Sequence, residues 1–198
     1  PADARVLTTN NCLVDESMKN PQKYFSNNVG GSLNLLSAIL KHKINRVVFS
    51  STCAVYGEAQ YVPVDERHTE NPSNPYGQSK LMVEQMIRWY GELWGLNYVI
   101  LRYFNVCGAS DDGLIGDSKK PSVLLVQNAV RGALGLEPFY LTCPEVNTKD
   151  KTPVRDYINV VDLTMAHLKA VEYLFNEGKS ETINLGTGTG NSVLSVVE

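Results

Sequence analysis

Tyr76 and Lys80 stand four residues apart behind Asn74-Pro75, so on a helix their side chains leave one face a turn apart. That spacing suits proton chemistry. A free phenol has a pKa near ~10 and is a poor base at neutral pH, and a neighbouring ammonium favours its ionised form. Lys80 is thereby expected to lower the pKa of Tyr76. A hydroxyl at a preceding strand end, Thr52 or its neighbours, would complete a short relay to a substrate hydroxyl. The same spacing also fits a packed tyrosine beside a solvated lysine, so its meaning depends on what surrounds the pair.

Asn74 and Pro75, as cap and first residue, open a helix expected to run to Gly95 with Met82, Met86, Tyr90 and Leu93 on its apolar face. Upstream, Val29, Leu33, Leu36, Ile39 and Leu40 recur at helical spacing after Ser26-Asn27-Asn28, and Lys41 to Lys43 supply positive charge at the end. The run Arg46 to Ser51 is β-rich without alternation, as is Tyr98 to Phe104, and both predict strands covered on two faces. Residues 123–134 and 162–175 read as helices, and 182–185 as a short strand opening into the loop Gly186 to Gly190. Strands alternating with helices predict an α/β fold around a parallel sheet, with ligands at the strands' carboxyl ends. Ser50, Ser51, Thr52 and Asn105 fall at such ends.

The length of 198 residues with 43% hydrophobic content supports one domain with a real core. The net charge of −3 comes from 18 basic and 21 acidic residues spread along the chain, so no stripe is offered to a phosphate backbone and nucleic acid is not an expected partner. No apolar run approaches the ~20 residues that span a bilayer, and no charged leader opens the chain, so a cytoplasmic protein without membrane contact is expected. Cys12, Cys53, Cys107 and Cys143 form no C-x-x-C pair and are read as free thiols; no metal site is predicted. His42, His68 and His167 are isolated, read as surface or half-buried, and receive no role. The chain opens on Pro1 and stops at Glu198 within the apolar-periodic Val193 to Val197, and is read as a piece of something longer.

Five segments lie in a telling order: Phe49-Ser50-Ser51-Thr52-Cys53-Ala54-Val55-Tyr56-Gly57, Asn74-Pro75-Tyr76-Gly77-Gln78-Ser79-Lys80, Leu101-Arg102-Tyr103-Phe104-Asn105, Val154-Arg155-Asp156-Tyr157-Ile158 and Asn184-Leu185-Gly186-Thr187-Gly188. In order and spacing the sequence from about Asn11 onward resembles the UDP-glucose 4-epimerases, NAD-dependent members of the extended short-chain dehydrogenase/reductases. The resemblance implies a partial Rossmann-type fold with the start of a smaller substrate-binding lobe: residues 1–120 as the latter half of the Rossmann core, 121–198 as substrate-lobe segments and returning core elements. It further implies NAD as cofactor, a UDP-sugar as substrate, and a homodimer of the complete protein through the helices at Tyr24 to Lys43 and Pro75 to Trp94. By the same resemblance Tyr76 is the base at the sugar 4-hydroxyl, Thr52 its hydroxyl partner, and Lys80 holds the nicotinamide ribose. Tyr103 and Phe104 would lie along the nicotinamide, Asn105 would contact the substrate, and Arg155 would reach the UDP diphosphate unless it pairs with Asp156 or another carboxylate. Ser50 and Asn27 match cofactor-side positions, Asn27 being equally readable as a helix cap.

The sequence also departs from that family. No G-x-x-G-x-x-G turn joins a strand to a helix; by resemblance that pyrophosphate cradle lies roughly seventy residues before Pro1. Activity of the 198 residues by themselves is accordingly not expected. Leu7 to Cys12 stands where relatives have a His-Phe-Ala-Ala type strand end with a lysine close behind, Asp15 replaces a glycine, Val106-Cys107 replaces Pro-Val, and Asn159 replaces a histidine. The asparagine pair that grips the uracil side has no counterpart near Pro121-Ser122. These residues do not separate UDP-hexose, UDP-N-acetylhexosamine and UDP-pentose. The competing readings are a dehydratase or decarboxylase of the same superfamily, for which relatives carry an acidic residue after the Thr52 position, and a non-catalytic truncated relative. A serine hydrolase is disfavoured, since no G-x-S-x-G elbow is present.

Overall fold

Residues 4–8, 11–118 and 122–198 are described by a computed structural model; Thr9, Asn10 and Pro121, which enter the departures above, lie outside them. In chain order the elements are β1 (Arg5–Leu7), α1 (Val14–Lys19), α2 (Pro21–Tyr24), a π-helical turn (Phe25–Gly30), α3 (Gly31–Lys41), β2 (Arg46–Ser50), α4 (Pro75–Trp94) and β3 (Asn97–Tyr103). After these come β4 (Asn105–Cys107), α5 (Leu125–Ala133), β5 (Val154–Asn159), α6 (Val160–Phe175), β6 (Glu181–Leu185), β7 (Gly190–Ser192) and α7 (Val193–Val197).

Two compact units result. The first holds the described residues up to Tyr103 together with Ala166–Leu185, and the second holds Phe104–Met165 and Gly186–Glu198. The first change of unit thus falls after Tyr103, where the sequence places it at 120/121, and residues 166–185 return to the first unit.

In the first unit β1-β2-β3-β6 form one sheet with every neighbouring pair parallel. The absence of alternation in β2 has its cause in cover on both faces. Val47 and Phe49 pack with Leu36 and Ile39 of α3 and Val83 and Ile87 of α4, while Val48 turns to Ala170 and Leu174 of α6. Each such fully buried side chain contributes about 1.5–3 kcal/mol relative to exposure. In the second unit β4, β5 and β7 form a separate three-stranded sheet, with β4 parallel and β7 antiparallel to β5. Asn105 therefore opens a strand of that sheet, paired with Tyr157, instead of trailing β3 as the sequence suggests.

The ends of α4 fall where the cap signals put them. Asn74 accepts from Gly77 N–H at 2.9 Å, Pro75 follows, and Gly95 closes the helix at φ +69°. Its buried face is another matter. Met82 and Leu93 are exposed, Met86 and Tyr90 are half-buried, and the face turned inward carries Tyr76, Ser79, Lys80, Val83, Glu84 and Ile87. Polar residues occupy it because each has a distant partner.

The strongest of those partnerships is ionic. Glu84, fully buried, takes Arg102 of β3 through Nε at 3.0 Å and Nη2 at 2.5 Å, and accepts from Arg88 at 2.9 Å and from the Ser51 hydroxyl. Arg102, 1% exposed, also donates to Glu70 and to Tyr56 Oη at 2.9 Å, and Tyr56 Oη donates on to Asn184 of β6 at 2.7 Å. Removing one member of a buried pair strands the other, at a cost of ~3–5 kcal/mol, whereas replacing both by apolar residues of similar volume is far milder. Glu84→Leu should therefore lower the urea midpoint sharply, and Glu84→Leu/Arg102→Met should recover part of the loss. Losses that simply add would show that the two charges are not coupled.

Candidate active site

Tyr76 and Thr52 meet because a glycine lets two stretches of backbone touch. A Cβ on Gly77 would lie 2.4 Å from the Ala54 carbonyl oxygen, so only glycine allows the first turn of α4 to rest on the turn Cys53–Val55. Thr52, 6% exposed, caps that turn by accepting from Ala54 N–H at 3.2 Å. Toward the phenol its hydroxyl is a close polar neighbour that eases ionisation.

Lys80, one turn along α4, is 2% exposed, and Nζ donates to the Ser50 carbonyl at 2.7 Å. The ammonium lies 5.0 Å from the Phe49 ring centroid and 6.0 Å from that of Tyr76. The expected tuning of the phenol by the lysine is not what the structure shows. Burial pushes the Tyr76 hydroxyl above its ordinary value of 10; the Thr52 hydroxyl acts to lower it, and Tyr103, Cys12 and Cys53 raise it further. Burial likewise pulls Lys80 down, from 10.5 to about 8. Desolvation, the largest cause at each, disfavours the charged form of both groups.

Around this pair stand Ser50 and Tyr103, both expected on the cofactor side, and three residues that sequence alone left without a role, Tyr24, Asn28 and His167. Ser50, the last residue of β2, has its hydroxyl 2.7 Å from His167 Nε2 on α6. Tyr103, the last residue of β3, has its ring 6.3 Å from that imidazole, and its hydroxyl is raised by burial and eased by Ser50. Tyr24 is fully buried, sets its ring edge-on to Tyr76 at 6.4 Å, and binds Leu13 O at 2.7 Å and Glu16 at 2.8 Å through its hydroxyl. Asn28, also fully buried, donates to Asn11 O at 3.1 Å and to Ser79 Oγ at 3.0 Å, and Ser79 in turn donates to Tyr76 O. Asn27 is exposed within the π-turn and donates to Asn28 at 3.1 Å, so it caps no helix. His68 is neither surface nor half-buried: at 3% exposure it accepts from Gln60 N–H at 3.0 Å, with its ring against those of Tyr56 and Tyr61.

Phe104, Asn105 and Arg155 belong to the second unit. Phe104 is half-buried and Asn105 exposed. Arg155 is exposed and donates to Val154 O at 2.9 Å; the Asp156 carboxylate instead accepts from Thr187 N–H, Thr187 Oγ and Gly188 N–H, all at 2.9 Å. An Arg155–Asp156 pair is thus not formed. The same unit contains a mainly apolar pocket of about 900 Å³ lined by Asn105, Cys107, Leu125, Gln127, Tyr157 and Met165 among others. Among the described residues no cluster of His, Cys, Asp or Glu could hold a metal, and no helix is long and apolar enough to cross a membrane.

Residues 2–186 match the NAD dependent epimerase/dehydratase family. The chain is 47% identical over 186 residues to the UDP-glucose 4-epimerase of Rhizobium meliloti (strain 1021), covering 93% of this chain and 57% of that protein. Among solved structures it superposes with a TM-score of 0.93 and 41% identity on the UDP-glucose 4-epimerase from Brucella ovis in complex with NAD, covering 97% of this chain and 59% of that one. It superposes with 0.88 and 35% identity on the enzyme from Bifidobacterium longum in complex with NAD+ and UDP, covering 98% and 58%. The chain therefore spans somewhat more than half the length of these relatives.

The two shifted groups have opposite signatures in stability. Between about pH 8 and 10.5 the unfolded chain keeps a proton on Lys80 that the folded chain has released, so stability rises with pH across that window. Tyr76, raised above 10, works the other way, but only above pH 10. The stability difference between the parent and Lys80→Met should accordingly grow in the parent's favour by on the order of 2 kcal/mol from pH 8 to 10. Urea midpoints at pH 7, 8, 9 and 10 measure it, and a flat difference would mean that Lys80 is not desolvated.

Proposed function

The chain belongs to the NAD dependent epimerase/dehydratase family, and from that membership we propose that the full-length protein is an NAD-dependent epimerase inverting C4 of a UDP-hexose, UDP-glucose and UDP-galactose being its pair. The observation that carries this reading is the assembly of Thr52, Tyr76 and Lys80 at the carboxyl ends of β2 and β3. Bound NAD would supply the acceptor and donor of the C4 hydrogen. The residues present suit its nicotinamide-ribose half: a buried ammonium with N–H groups beyond the one given to Ser50, and the phenols of Tyr76 and Tyr103 beside it. No glycine-rich turn of the dinucleotide-binding spacing occurs in these 198 residues to match the pyrophosphate half.

Tyr76 takes the proton of the sugar 4-hydroxyl, with Thr52 passing it along, and returns it to the 4-keto oxygen after the sugar has turned to offer the other face of C4. A phenol kept neutral by burial is the correct resting form for the return step, and it becomes a base when positive charge enters the pocket. Lys80 holds the ribose, while Asn105 and Arg155 receive the sugar and the diphosphate, Arg155 through its planar fork.

A dehydratase needs a carboxyl acid/base pair beside the sugar. The positions after Thr52 hold Cys53 and Ala54, and the buried Glu84 is committed to Arg102, Arg88 and Ser51. We further propose a cytoplasmic homodimer through the helices within Tyr24 to Lys43 and Pro75 to Trp94, where Leu33, Met82, Trp89 and Leu93 are exposed.

With the full-length protein and UDP-glucose, mass spectrometry and sugar analysis should find UDP-galactose at equilibrium and no product lighter by one water. Tyr76→Phe should lower kcat by ~10² or more. A growing dehydrated product, or an undiminished kcat in that variant, would overturn the reading.

A further inference from the structure

Ser50 closes β2 at 2% exposure, and both of its polar ends are engaged. Its carbonyl accepts from Lys80 Nζ and is the one hydrogen-bond acceptor of that ammonium among the described residues. Its hydroxyl lies 2.7 Å from His167 Nε2, and the two residues are 117 positions apart. The half-buried imidazole also reaches Tyr103, ring to ring at 6.3 Å. A single side chain of α6 therefore touches the last residue of both central strands.

We propose that His167 is a positioning residue of the site: by fixing the Ser50 hydroxyl it fixes the peptide to which Lys80 is tied, and with it the stance of Lys80 and Tyr103 toward the nicotinamide ribose. The proposal rests on the NAD-dependent reading above. A serine side chain has three staggered positions, and in the other two the hydroxyl swings away from the ring. The direction of the hydrogen bond follows the imidazole tautomer, and either direction anchors the hydroxyl. The anchor matters because a buried ammonium holds its proton only against good acceptors, and a carbonyl that drifts withdraws the one in view.

The test uses the full-length protein with His167→Leu, His167→Gln, His167→Asn and Ser50→Ala. The readouts are the Kd for NAD by calorimetry and the pH at which the Lys80-dependent gain in stability sets in. His167→Leu should raise the Kd by about 5- to 10-fold, the scale of one hydrogen bond. It should also move the onset of the stability gain below the parent's value of about 8. Glutamine, whose amide reaches the position of Nε2, should restore both readouts, and asparagine, which reaches only that of Nδ1, should not. Adding Ser50→Ala to His167→Leu should cost nothing more.

The proposal is overturned if His167→Leu stays within twofold of the parent with an unmoved onset, if glutamine is as impaired as leucine, or if the two losses add. Should His167→Leu fail to fold, the contrast of glutamine and asparagine decides, and equal values overturn it. A parent that binds no NAD would sink the epimerase reading, while the pH readout would still decide the role of His167.

Discussion

Because Glu84 and Arg102 are both removed from water, each must lie where the other can reach it, and that requirement locks α4 onto β3. Three further constraints follow from the same pair. Ser51 donates to Glu84, so the peptide between Ser50 and Thr52 cannot wander. Tyr56 takes Arg102 and passes its own proton toward Asn184, so the loop after β2 is tied to β6. Lys80, one turn before Glu84, is thereby held below the end of β2, where the Ser50 carbonyl is its acceptor. Apolar packing supplies most of the stability, but it is non-directional; the charges set the registration of helix against sheet.

What could be seen in the sequence was local. The ends of α4 were legible because Asn74, Pro75 and Gly95 act on their own backbone, and the two-sided cover of β2 because Val47, Val48 and Phe49 run without a polar break. Tyr76 and Lys80 were legible from a four-residue spacing and a set of ordered motifs. The inward face of α4 was not. Met82 and Leu93 have the chemistry of a core and stand in solvent, whereas Ser79, Lys80 and Glu84 lie inside because Asn28, Ser50 and Arg102, far off in sequence, receive them. The contact of His167 with Ser50 is not legible for the same reason, its two ends lying more than a hundred residues apart. Asn27 and Asn28 exchange parts in the π-turn, which sends one to solvent and the other to the interior, and helical periodicity of 3.6 does not foresee that shift.

The ionisation states carry a second lesson. Proximity of an ammonium to a phenol suggests a lowered phenol, yet both groups here are so removed from water that each is pushed toward neutrality. Under the proposed reading, the groups for proton transfer would be assembled in advance, and the electrostatic drive would come from positive charge that enters the pocket.

The contact of Gly77 with Ala54 has a consequence for engineering. Distances between catalytic groups are commonly held by side chains, which can rotate, repack or be replaced. Here the separation of hydroxyl and phenol is set where main chain meets main chain, a joint with no rotamers to lose. Cys53, half-buried, can therefore vary without moving that joint, whereas Val55 is fully buried beside Tyr56 and Leu81 and belongs to the core.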